Sequence, residues 1–212
     1  MNDTPKFSCI VADPPWDVKA GPNGGGYSTG GVKMKKWNWR GESLPTRKLA
    51  YPSMSIEEIA ALQVGQLAGR DSHLYLWTIN RYVHEAYDVA RAWGFEPSTL
   101  LTWAKKPMGG GLGGAFGISS EFILFARRGS LKAKTRITGT HFNWKREYVN
   151  GAPAHSRKPK AFFEMVEKVS PGPYAELFAR RPREGWAVWG NEVETTIHIT
   201  SSRPKQESLA LA

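Results

Sequence analysis

Apolar positions along the chain fall into short runs rich in β-branched and aromatic residues, separated in several places by stretches of helical period. Six runs read as strands: Phe7 to Ala12, His73 to Ile79, Thr99 to Ala104, Glu121 to Phe125, Tyr174 to Phe178 and Trp186 to Trp189. Three stretches read as helices. Ser55 to Gln63 opens with Ser-x-x-Glu (Ser55, Glu58), a pair in which each side chain can accept the other's backbone N–H. Arg81 to Trp93 stops at Gly94, and Pro159 to Val169 opens on a proline suited to a first helical turn. This alternation predicts an α/β fold with a mostly parallel sheet, helices on both faces, and ligands at the carboxyl ends of the strands.

Two glycine-rich segments interrupt the rhythm. Gly21 to Gly31 leads into Lys33-Met-Lys35-Lys36-Trp37-Asn-Trp39-Arg40, and Gly109 to Gly117 contains G-x-G-x-x-G at Gly109, Gly111 and Gly114. A dinucleotide site would need a strand turning directly into a helix and an acid about 20 residues on. No helical pattern follows these glycines, and no acid lies between Phe122 and Arg146, so that reading is rejected. The segments near 20–50 and 107–118 are expected to be mobile loops of one domain spanning 1–194, and the polar stretch 195–212 a partly disordered tail.

Composition narrows the classes. A chain of 212 residues, 41% of them hydrophobic, can bury one sizeable core. It has no run of 18 or more apolar residues and no apolar signal core at its start, which points away from membranes and towards the cytoplasm. The single cysteine, Cys9, lies in an apolar run and reads as a buried thiol; the histidines lack metal-ligand spacing, so no metal is expected. His155 reads as a structural partner of its loop. Lys and Arg outnumber Asp and Glu by 29 to 19, a formal charge of +10, which suggests a polyanionic partner. Arg127, Arg128, Lys132, Lys134, Arg136, Lys145 and Arg146 fall in a stretch without acids, and are expected, with Lys33, Lys35, Lys36 and Arg40, to face phosphates around the site.

Asp13-Pro14-Pro15-Trp16 follows the first strand, where an α/β sheet delivers groups to its active edge. The four residue types suit chemistry on an exocyclic amine. The Asp13 carboxylate and the carbonyl between the prolines can each accept an amine proton, holding the nitrogen pyramidal and stabilising positive charge on it. Proline fixes φ and brings no N–H, so the acceptor carbonyl is held without a competing donor. Trp16 would offer a flat face to an unstacked base. The competing reading is a strand-ending turn with Trp16 packed into the core.

At these residues the chain resembles the DPPW-type adenine-N6 methyltransferases, relatives of the mRNA N6-adenosine methyltransferase catalytic subunit with a bacterial and phage DNA branch. The resemblance spans about Phe7 to Glu194. It includes Tyr51-Pro-Ser-Met-Ser55, Leu74-Tyr-Leu-Trp77, Thr102-Trp103-Ala-Lys105, His155-Ser-Arg-Lys158-Pro159, Glu176-Leu-Phe-Ala-Arg180 and Trp186-Ala-Val-Trp-Gly190-Asn191-Glu192. It implies a Rossmann-like S-adenosylmethionine-dependent methyltransferase fold of permuted motif order, acting on nucleic acid; the small size and the loop-borne basic patches favour DNA over RNA. By the same resemblance Asp13, Pro14, Pro15 and Trp16 form the catalytic segment. Ile10 or Val11, Asp13, Lys158, Arg180 or Arg181, Asn191 and Glu192 would hold the cofactor, and Tyr51, Trp77, Trp103 and Lys105 would surround the target base. Lys158 would meet the methionine carboxylate, which suits a cation just inside a helix N-terminus. Where the mRNA enzyme has Arg-Pro-His-Asn, this chain has Arg180-Arg181-Pro182-Arg183-Glu184, which leaves two registers open. A catalytically inactive subunit that binds nucleic acid is the rival of another class, and retention of Asp13 speaks against it. A homodimer stays open.

Overall fold

The computed structural model describes residues 6–17, 53–105, 119–149, 152–153 and 157–202. Seven strands form one mixed sheet in the order β5-β3-β4-β2-β1-β8-β9. They are β1 (Phe7–Ala12), β2 (Ala68–Thr78), β3 (Glu96–Ala104), β4 (Ser120–Arg128), β5 (His141–Phe142), β8 (Tyr174–Leu177) and β9 (Trp186–Trp189); β6 (Tyr148–Val149) and β7 (Ala152–Pro153) pair separately. β1 runs parallel to β2 and β8, β8 to β9, and β3 to β5, while β4 is antiparallel to both neighbours. Six strands of the large sheet therefore share one direction and β4 alone is reversed.

The central strands alternate between two cores. Ile10, Leu74 and Leu76 face one layer, with Ile59, Val89 and Trp93 from α1 (Ile56–Ala60), α3 (Val83–Ala92) and the turn after it. Short α2 (Val64–Leu67) closes the same layer. Cys9, Val11, Tyr75 and Trp77 face the other, against Phe162, Phe163 and Val166 of α4 (Lys160–Val169). Both faces of the central strands are thus covered, and their apolar runs are nearly continuous, as such burial requires.

Local chemistry set several boundaries. Ser55 caps α1 reciprocally: its hydroxyl accepts the Glu58 N–H at 3.1 Å and Glu58 accepts the Ser55 N–H at 2.7 Å. Gly94 follows α3 at φ +83°, where a Cβ would be strained. The helix expected over Ser55 to Gln63 instead ends at Ala60 and restarts as α2. The strand expected from His73 begins at Ala68, through the polar residues Arg70, Asp71 and Ser72. The tail expected from 195 is folded as far as 202: Ile197 is buried, and Ser202 donates its backbone N–H to Ala61 at 2.9 Å. No helix among the described residues is long and apolar enough to cross a membrane.

Candidate active site

Asp13 continues β1 at its carboxyl end, where its backbone N–H still reaches the Leu177 carbonyl of β8 at 3.3 Å. The next residues fold into a tight turn, with the Trp16 N–H donating to the Pro14 carbonyl at 2.9 Å and the Met54 N–H to the Pro15 carbonyl at 2.9 Å. The carbonyl between the prolines is therefore not free of donors, as the sequence suggested; Trp16 uses one of its two lone pairs.

Trp16 does not present an open face. Its indole is 6% exposed, stacks on Tyr82 at 5.5 Å between centroids, and donates Nε1–H to the Trp77 carbonyl at 2.9 Å. It anchors the Asp-Pro-Pro turn from below. Trp77 and Trp103 are likewise buried, edge to face at 5.8 Å, with Trp103 donating to the Trp144 carbonyl at 2.9 Å. The Trp77 ring lies 4.6 Å beneath the Lys158 ammonium and Trp103 lies 5.2 Å from that of Lys105, so both aromatics form the floor under cations. Ile10 and Val11 are fully buried, one in each core layer, and neither reaches the cleft.

Lys158 stands just before α4 and not inside its first turn. Its Nζ lies 3.0 Å from Asp13 Oδ1 and 3.1 Å from Glu121 Oε2, while the other Glu121 oxygen meets Lys105. Asp13, Lys158, Glu121 and Lys105 thus form an alternating chain of four charges. Burial pushes the Asp13 carboxyl above its ordinary range; Lys158 pulls it down and Glu121 pushes it up. Burial opposes the charged form of Glu121 too, but Lys158 and Lys105 together hold that carboxyl down to about 2. Burial also works against the Lys158 ammonium, and the two carboxylates more than offset it. In the sequence Glu121 carries no signal beyond opening an apolar strand. Since β4 is reversed, its first residues stand at the edge where the other strands end.

An open cleft is lined by Asp13, Lys158, Glu176, Phe178, Arg180 and Arg181, among others. Phe178 follows β8 with φ +62°, a left-handed conformation costing a non-glycine residue roughly 1–2 kcal/mol, and its ring meets Trp189 at 5.1 Å. The double arginine divides its work. Arg180 lies 3.6 Å from Glu192, whereas Arg181 makes a bidentate pair with Glu147 at 2.8 and 3.0 Å. Asn191 and Glu192 are exposed, just beyond β9. Gly190 lets that corner close: a Cβ there would sit 2.1 Å from the Ala179 carbonyl oxygen.

The basic run splits in two. Arg127 and Arg128 pair with His73 and Ser72 in the middle of β2, level with the start of β1 and away from Asp13 at its end. Arg128 donates to the Gly65 carbonyl at 2.7 Å, and the Lys134 N–H meets the Val169 carbonyl at the end of α4. These residues do not surround Asp13 because β4 carries the chain away from it. Lys145 and Arg146 come after β5 has returned in the common direction. Tyr51, His155, Lys33, Lys35, Lys36, Trp37, Trp39 and Arg40, and both glycine-rich loops, lie outside the described residues. Among the described residues no group of three His, Cys, Asp or Glu side chains could hold a metal ion.

A mostly parallel sheet that brings a carboxylate and a cation together at the carboxyl ends of its central strands is the architecture of a Rossmann-like methyltransferase. The MT-A70 family model matches residues 7–192, so the chain belongs to that family, whose fold is the S-adenosylmethionine-dependent methyltransferase fold. It is 28% identical to the type II methyltransferase M.MunI of a Mycoplasma species, over 89% of this chain and 78% of that protein. To the mouse N(6)-adenine-specific methyltransferase METTL4 it is 25% identical, over 94% of this chain and 40% of the relative. To the N6-methyladenosine RNA methyltransferase MTA1 of Cryphonectria parasitica it is 30% identical, over 90% and 53%. The chain thus spans about half of the last two relatives, and more than three quarters of the first.

Proposed function

We propose that this chain transfers a methyl group from S-adenosylmethionine to the N6 amine of adenine in DNA. One observation carries the reading: the Asp13 carboxylate, at the carboxyl end of β1, is held 3.0 Å from Lys158 at the wall of an open cleft. The cofactor's amino-acid end needs a cation for its carboxylate and an anion for its ammonium, and Lys158 and Asp13 are such a pair. A lysine ammonium has three donors, so one remains after Asp13 and Glu121 are served. Arg180, Glu192 and Asn191 offer donors and acceptors for ribose hydroxyls and adenine beyond it. The bound cofactor would supply a methyl group on a sulfonium, which leaves as a neutral thioether.

The residues of the chain do the rest. Asp13 accepts one N6 proton and the second lone pair of the Pro14 carbonyl accepts the other, drawing the nitrogen lone pair out of the ring. As the N–C bond forms, positive charge grows on N6 and the Asp13 carboxylate stabilises it; the surplus proton then leaves to Asp13 or to water. Trp16, locked between Tyr82 and Trp77, keeps both acceptors in place. The wide coverage of the type II methyltransferase supports DNA as the polymer. RNA is the second reading, favoured by the identity to the RNA methyltransferase. Incubation with methyl-labelled S-adenosylmethionine and matched DNA and RNA oligonucleotides, followed by digestion to nucleosides, tests both. Label in N6-methyldeoxyadenosine is expected. Label confined to RNA would overturn the choice of polymer, and absence of labelled adenine would overturn the reading.

A further inference from the structure

An acceptor binds an amine proton according to its basicity, and Asp13 has a cation at 3.0 Å. Alone, Lys158 would strip much of that basicity away. It is not alone, because the same Nζ lies 3.1 Å from Glu121, whose other oxygen is engaged by Lys105. All three partners are largely shielded from water, with side-chain exposures of 13% for Lys158, 17% for Glu121 and 21% for Lys105. Coulomb interactions at such a site are several times stronger than in water.

We propose that Glu121 is a positioning residue that sets the basicity of Asp13 by dividing the charge of Lys158 between two carboxylates, and that Lys105 limits how much of Glu121 is available for this. The inference rests on the role of Asp13 given above. Its geometry depends on the reversal of β4, which brings the first residues of that strand beside the ends of β1 and β2. Other charges facing Asp13 are Arg180, beyond β8, and Glu176 on β8, which Arg183 engages at 3.4 Å. Arg157, Arg181 and Arg183 line the same cleft. Arg180 and Glu176 act on Asp13 itself and are unchanged in variants of Glu121 and Lys105, so substitutions at the far end report on the line from Asp13 through Lys158 and Glu121 to Lys105.

Two substitutions push in opposite directions. Glu121→Gln leaves the whole of Lys158 to Asp13, so Asp13 becomes more acidic. Lys105→Met frees Glu121 to hold Lys158 more tightly, so Asp13 becomes less acidic. A residue that merely braced the end of β4, without electrostatic coupling to Asp13, would leave the Asp13 titration where it is. The test is an NMR titration of the Asp13 carboxyl carbon in the ligand-free protein, for wild type and both variants. Proton affinity is expected to fall on the order of tenfold in Glu121→Gln and to rise, by less, in Lys105→Met. Shifts of the same sign, or none in a folded variant, would overturn the inference; if Glu121→Gln does not fold, the sign in Lys105→Met decides it alone. Asp13→Asn, assayed separately for methyl transfer, keeps the two questions apart. An active Asp13→Asn would remove the role of Asp13 itself, whereas an inactive one beside unshifted titrations would remove only the role of Glu121.

Discussion

The same elements carry two polar networks of opposite character, one at each edge of the sheet. At the carboxyl edge the ends of β1 and β3, the start of β4 and the segment before α4 bring together four charged groups, Asp13, Lys105, Glu121 and Lys158. At the other edge β1, β2 and the end of α4 bring together neutral ones. His73 Nδ1 lies 2.8 Å from the Ser170 hydroxyl, which also meets Tyr75 at 2.9 Å, and His73 Nε2 lies 3.1 Å from the Leu131 carbonyl. A carbonyl can only accept, so Nε2 carries the proton, Nδ1 accepts from Ser170, and Ser170 accepts from Tyr75. Cys9 completes this set, its thiol pushed up to about 12 by burial and so kept protonated.

In the neutral network the protons of Tyr75, Ser170 and His73 all have acceptors, the last on the Leu131 carbonyl. The charged one keeps a lysine donor in reserve beside a cleft. Burying charges is costly and removing one partner leaves the others stranded, so four charges at an edge are weak evidence for stability and better evidence for chemistry.

Substitutions at the two edges should therefore fail in different ways. The largest expected effect is Asp13→Asn, a loss of roughly a hundredfold to a thousandfold in the rate of methyl transfer in a protein that still folds, because Glu121 keeps Lys158 paired. Single-turnover transfer and calorimetric melting check it together. Ser170→Ala, at the neutral edge, should behave oppositely. It leaves His73 and Tyr75 without their shared partner and costs about 1–3 kcal/mol of stability, readable in denaturant titrations, with the transfer rate of the folded protein intact.

Acid should separate the edges further. Glu121 titrates near 2 in the folded protein against an ordinary 4.5, so the unfolded chain binds the proton first. Its contribution is complete above pH 4.5 and is lost as pH falls towards 2; Glu121→Gln should flatten stability across that window. The smallest effect belongs to His73, which burial holds below its ordinary 6.5. Its contribution is present above 6.5 and fades as the pH drops below it, so His73→Asn should remove a shallow slope that sets in below pH 6.5.

The contrast between the edges was only half legible in the sequence. β1 and β9 matched their apolar runs to the residue, because both faces of each are packed and the runs end at Asp13 and Gly190. Asp13 and Lys158, distant in sequence, meet in space, a contact that neither motif specifies by itself. The direction of β4 was invisible, since alternation of apolar positions reads the same both ways; with it went Glu121 and the true location of Arg127 and Arg128. Burial of Trp16 is the competing reading of its motif, and that of Trp77 and Trp103 is beyond reach, because an aromatic side chain packs a core or greets a base with the same ring. The two-residue strands β5, β6 and β7 are too short to leave a pattern.

Calorimetric titration of S-adenosylmethionine into wild type, Lys158→Gln and Ser170→Ala, with folding of each verified by melting, compares the two edges in one series. The expected result is saturable binding to wild type, affinity weakened by about tenfold to a hundredfold in Lys158→Gln through loss of a charge-assisted hydrogen bond, and unchanged affinity in Ser170→Ala. Equal weakening in the two variants, or undiminished binding by Lys158→Gln, would contradict the assignment of chemistry to the charged edge.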